Sequence, residues 1–128
     1  MSKAVEITVS LKDSRSNPPT LKLKDSEGDS SKGDDLTSGV YPDATVTWIP
    51  DYSSGISQLV SITKNPKIVK DNDDLMQSEG IGQANGNYAV NIVKTSPGKG
   101  KTEYYLIGFK IDGDDNTYYS DPKLIMKT

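Results

Sequence analysis

Hydrophobic and polar positions alternate along most of this chain. Val5, Ile7, Val9 and Leu11 are separated by Glu6, Thr8 and Ser10, a period of two that turns one face of a strand to a core and the other to water. Leu21 and Leu23 alternate with Lys22 and Lys24 after the Pro18-Pro19 break, and TVTWI at 45–49 is β-branched and aromatic with Val46 and Trp48 on one face. Further strands are predicted at 58–64, 87–95, 117–120 and 123–127, with 67–70 either extending the first of these or forming a short strand of its own. The strongest signal lies at 102–112, where Tyr105, Ile107, Phe109 and Ile111 share a face. No window carries an apolar stripe at helical spacing. Short strands separated by turn residues predict an all-β fold, a two-sheet antiparallel sandwich of about seven to nine strands with immunoglobulin-like Greek-key connections. The predicted core is Val5, Val9, Val46, Trp48, Val60, Ile62, Val90, Ile92, Ile107 and Phe109.

Composition narrows this picture. The 128 residues fit one domain, 1–128, and only 33% are apolar, as expected where every second strand residue faces water. The stretch 25–35, DSEGDSSKGDD, holds no apolar residue; ordering it buries nothing to offset about 1–2 kcal/mol of backbone entropy per residue, which predicts a mobile polar loop. Fifteen Lys and Arg against eighteen Asp and Glu leave a net charge of −3, which disfavours a phosphate backbone as partner. The longest apolar runs are far short of a bilayer span, so membrane insertion is not expected. The N-terminus has no apolar signal core, which implies a cytoplasmic protein or one exported without a cleavable leader.

The segment VYPDATVTW at 40–48 resembles the "pGDtVtW" strand pattern of cupredoxin-like Greek-key sandwiches, with Asp43 and Ala44 where that pattern has Gly-Asp. The resemblance implies a sandwich fold. It implies no copper site, since blue-copper centres need two His and a Cys and this chain has neither residue type.

The same two absences remove whole classes of chemistry. Ser-His and Cys-His nucleophiles lack their base, zinc, haem and iron–sulfur sites lack their usual ligands, and no disulfide can form. Gly80-Ile-Gly82 lacks the third glycine and the βαβ setting of a dinucleotide site. Hydrolysis by a carboxylate pair stays open, but most of the acids lie in turns, where Asp bonds to its own backbone; an enzyme is not expected. Calcium is the one metal the composition permits. The turn DGDDN at 112–116 places Asp112, Asp114 and Asn116 at alternate positions, as in the opening of an EF-hand loop, though Thr117 and Lys123 stand where glycine and the closing glutamate belong. DNDD at 71–74 is a second, poorer candidate.

Tyr104, Tyr118 and Tyr119 are the candidate ligand-binding residues, because exposed tyrosine offers a stacking face and a hydroxyl. Cross-strand pairing that stabilises the hairpin is the plainer role for the same side chains. The function expected is a non-catalytic binding or structural module acting through protein contact or self-assembly; the alternative is a calcium-assisted carbohydrate-binding module. Self-contact is expected at the edges presented by 4–11 or 123–127, with Lys123 and Lys127 as the residues that would block it.

Overall fold

The alternation at the N-terminus becomes β1 (Val5–Asp13), the first of eleven strands in a computed structural model that describes residues 4–13, 15, 19–28, 30–31 and 36–128. There follow β2 (Thr20–Asp25), β3 (Ser30–Ser31), β4 (Thr37–Val40), β5 (Thr45–Pro50), β6 (Ile56–Lys64), β7 (Ile81–Gly82), β8 (Tyr88–Asn91), β9 (Thr102–Ile111), β10 (Tyr118–Ser120) and β11 (Lys123–Met126). The helical content described is one 3-10 turn, Tyr52–Ser54, capped by the Asp51 side chain and ended by Gly55 at φ 114°. Among the described residues no helix is long and apolar enough to cross a membrane.

The strands form two sheets. The first has the order β3-β2-β1-β5-β8-β7. In the second, β9 pairs with β6 on one side and with β10 and β11 on the other, and β11 pairs in turn with β4. The register Ser120↔Ile107 runs on into Lys123↔Tyr104 without a shift, so β10 and β11 are one strand interrupted at Asp121-Pro122. Pro122 has no N–H to give the ladder, while its carbonyl still accepts from the Tyr105 N–H at 3.2 Å. The two-sheet sandwich is as the sequence predicts, with more strands than expected because short pieces such as β3 and β7 carry no alternation to detect.

Two features differ from expectation. The sheets are mixed: β1 runs parallel to β5, and β11 parallel to β4. Both terminal strands therefore lie inside their sheets, β1 between β2 and β5 and β11 between β9 and β4, and neither offers the free edge proposed for self-contact. Lys123 and Lys127 cover the outer face instead. The Lys123 ammonium lies 5.6 Å from the Tyr104 ring centre, and the Lys127 stem crosses Gly39 closely enough to leave no room for a Cβ there.

The core fills the space between the sheets and contains every predicted member except Val60. β6 carries bulges between Ile56 and Gln58 and between Leu59 and Ser61. The second one shifts the inward parity, so Leu59 and Ile62 are buried and Val60 is only partly so. At the centre, Trp48 from the first sheet and Tyr105 from the second meet edge to face with ring centres 5.4 Å apart. The Trp48 indole N–H donates to the Tyr105 hydroxyl at 3.1 Å.

On one flank the sheets close on each other. The Val60 carbonyl, on the outer side of β6, accepts from the Tyr88 hydroxyl at 2.6 Å, and that of Ile62 accepts from the Gly80 N–H at 2.8 Å. That long edge is thereby capped. The predicted loop at 25–35 begins inside β2, where Asp25 is buried, and Ser30–Ser31 pairs with Leu23 and Lys24; residues 29 and 32–35 lie outside the described set.

Candidate functional site

Three outward features gather the candidate binding residues. Each rests on the long connection 65–80 or on a tight turn. That connection contains no strand at 67–70; it is folded into turns by its own amides. Asn65 Oδ1 accepts from the Lys67 N–H at 3.0 Å, and Asn72 Nδ2 donates to the carbonyls of Asn65 and Ile68 at 3.2 and 2.8 Å. Asn72 Oδ1 accepts from the Tyr104 N–H at 2.9 Å, tying the connection to β9.

The deeper anchor is Glu103, which is 2% exposed. Its Oε1 accepts from the backbone N–H groups of Leu75 and Met76, both at 2.8 Å, and its Oε2 from Lys64 Nζ at 3.2 Å. Lys64 also donates to the Asp73 carbonyl at 2.7 Å and pairs with Asp74 at 3.0 Å. Burial alone would depress the Lys64 ammonium, but Asp74 and Glu103 outweigh it and hold the group above the usual lysine range. In the second calcium candidate, 71–74, Asn72 and Asp74 thus already serve the fold. Glu103 was missed in the sequence although its parity is legible there, since it shares a face with Tyr105, Ile107 and Phe109.

On the outer face of the second sheet, Leu106 floors a groove of about 470 Å³ walled by Tyr119, Asp121 and the Pro66-Lys67 turn. Tyr119 is 55% exposed and pairs with Gly108. Its ring lies over that glycine, where an added Cβ would meet it at 3.2 Å, so the absence of a side chain on β9 lets the ring lie flat. Tyr104 sits on the same face beneath Lys123. Tyr118 does not join them. Strand parity turns it inward against Phe109, with ring centres 6.0 Å apart. Of the three predicted tyrosines, two share a face and one belongs to the core margin.

The 112–116 turn is held by Asp114. Its Oδ1 accepts from the Asn116 N–H at 2.8 Å and its Oδ2 from the Tyr118 hydroxyl. Those bonds, Tyr118 first, pull the Asp114 carboxyl below the usual aspartate range, and the same carboxylate raises the Tyr118 hydroxyl. Among the described residues no three acidic side chains converge on a metal-sized site. A calcium ion at Asp112, Asp114 and Asn116 would have to compete with both bonds to Asp114. A thermal melt in about 10–50 mM calcium against chelator, repeated with Asp114→Ala, measures that competition at the millimolar affinity of weak calcium modules. A shift in wild type that the variant loses would establish the site, and no shift leaves the turn to its own hydrogen bonds.

The third feature is on the first sheet. Ile81, Ala89 and Thr47 stand directly opposite one another on β7, β8 and β5, and Thr45 donates to Asn91 Oδ1 at 3.2 Å one step along. Ile81, which is 67% exposed, walls a shallow pocket of about 210 Å³ together with Gln77, Ser78, Gln83, Ala89, Val90 and Asn91. In the sequence this face is signalled by composition alone. Residues 80–93 form the longest uncharged run in a chain that is 26% charged.

The fold has a counterpart among solved structures. It is similar to an inclusion body protein (PixA) from Burkholderia cenocepacia J2315, with a TM-score of 0.52 over 99% of this chain and 95% of that one at 12% identity. No family model matches the chain, and no curated protein matches it.

Proposed function

We propose that this chain is a non-catalytic structural module that works by surface contact with protein, and foremost with copies of itself. The observation that carries this reading is the exposure of large apolar side chains on open sheet faces, Ile81 on the first sheet and Tyr119 on the second. An exposed large apolar side chain on a sheet face is a candidate anchor for such a contact, and a chain without His or Cys lacks the commonest general base and any thiol nucleophile. The whole-chain similarity to a protein titled for inclusion bodies supports the same direction.

Sedimentation velocity from about 10 µM to about 1 mM tests it, the range in which contacts of about 4–7 kcal/mol populate. The expected result is a weight-average coefficient that climbs with concentration. A constant monomer value across the range would contradict the proposal.

A further inference from the structure

We infer that Asn85 is a self-modifying site, where the turn between β7 and β8 converts a side-chain amide to a carboxylate with water as the only co-reactant. Ring closure at an asparagine requires the next backbone nitrogen to reach the side-chain Cγ, and a side chain on that next residue obstructs the approach. Of the seven asparagines, Asn85 alone precedes glycine. Asn17 and Asn65 precede proline, which has no N–H to give up. Asn72, Asn87, Asn91 and Asn116 precede Asp73, Tyr88, Ile92 and Thr117, all with side chains beside the nitrogen. The Asp73 and Ile92 N–H groups are also held, by the carbonyls of Thr102 and Ala44, both at 2.8 Å.

The turn presents Asn85 to that step. Gln83, Ala84 and Asn85 are exposed. Asn85 Oδ1 accepts from the Asn87 N–H at 3.0 Å, an Asx turn that folds the side chain back over the Gly86 peptide. The same N–H faces the oxygen on which negative charge develops as the Gly86 nitrogen adds to Cγ. Tyr52 donates to the Asn85 carbonyl at 3.3 Å, and its hydroxyl fills the space that a Cβ on residue 86 would need. With φ at 89°, this position calls for glycine twice over. One bond opposes the reaction: the Gly86 N–H donates to the Gln83 carbonyl at 2.9 Å and must let go. It is backed by the Gln83–Asn87 bond and by β7, a two-residue strand at the sheet edge, and such segments open locally at little cost.

In the first step the bond from Gly86 N to Cγ forms and the Cγ–Nδ2 bond breaks. The peptide proton leaves with the amino group as ammonia. Water then opens the cyclic imide at either carbonyl. Opening at Cγ gives aspartate, and opening at the main-chain carbon gives isoaspartate, whose backbone runs through the side chain and is longer by a methylene. Either product puts a charge into the uncharged run 80–93. The second also lengthens the turn that sets β7 against β8.

The test incubates the folded protein in mildly alkaline buffer beside the same chain unfolded in urea, and follows each asparagine by peptide mapping with mass spectrometry and isoaspartate detection. In the folded protein Asn85 should convert first, to a mixture of aspartate and isoaspartate. Its rate should lie within about tenfold of the unfolded chain's, as for a segment whose opening costs little. Conversion should quicken as pH rises, because the attacking nitrogen must lose its proton. Asn85→Gln should leave position 85 unchanged over the same period, since its longer side chain closes the ring poorly. An Asn85 that stays intact in the folded protein after the unfolded chain has converted would overturn the inference. So would a folded-state conversion led by any other asparagine.

Discussion

Trp48→Ala is expected to lower stability by about 3–5 kcal/mol, and Phe109→Ala by a similar amount, as large aromatic truncations in cores do. Both side chains are fully buried. Trp48 does more than fill volume, because its N–H is satisfied by the Tyr105 hydroxyl across the sheet interface. Burial pushes that hydroxyl well above the usual tyrosine range, more than the Trp48 bond lowers it, so it stays neutral through ordinary pH. Tyr105→Phe isolates the second contribution: it leaves the indole N–H buried and unpaired, at a cost of about 1–3 kcal/mol. Against the 5–15 kcal/mol of a normal domain, Trp48→Ala removes a large share. Urea unfolding with the slope held fixed measures it, and a loss under about 1 kcal/mol would mean that Trp48 does not join the two sheets.

Glu103→Ala should cost about 2–5 kcal/mol, since each buried donor left without its acceptor costs about 1–3 kcal/mol. Two backbone N–H groups, of Leu75 and Met76, would lose their acceptor inside the protein. Lys64 would lose less, since it reaches solvent and keeps Asp74. Glu103→Gln retains an acceptor for the backbone and should cost clearly less. The alkaline limb follows from Lys64. Its ammonium is held above the ordinary value in the fold, so its contribution is fully present below the unfolded value of about 10.4 and is lost as pH rises through the higher folded one. Stability measured across that window should fall in wild type and fall less in Lys64→Met. Equal profiles would mean that the Lys64 pairing does not strengthen on folding. Because Glu103 pins the connection that supports both the groove and the uncharged face, Glu103→Ala should also loosen those surfaces.

Most of the sandwich was legible because a strand with one wet face writes its parity into the sequence. Val5, Ile7, Val9 and the Tyr105–Ile111 series all fall on the buried side where alternation puts them. Val60 fails because a bulge inserts a residue, and nothing in ISQLVSITK marks the insertion. The parallel pairings and the inner positions of β1 and β11 are decided by how the sheets are wound, which local pattern does not encode. The tyrosines were legible as a group but not by face: Tyr118 and Tyr119 differ by one position and so point opposite ways. Groove residues such as Leu106, Pro66 and Asp121 meet only through tertiary pairing. The uncharged face was readable in principle, since the run at 80–93 is plain in the sequence, but an absence of charge carries meaning only once the residues are known to share a surface.

The most direct measurement is amide hydrogen exchange on the wild-type protein at two concentrations, about 10 µM and about 1 mM, followed residue by residue. Exchange around Ile81 or around Tyr119, the large apolar side chains exposed on the two sheets, should slow at the higher concentration while the 112–116 turn remains unchanged. Protection that does not change anywhere with concentration would contradict the account.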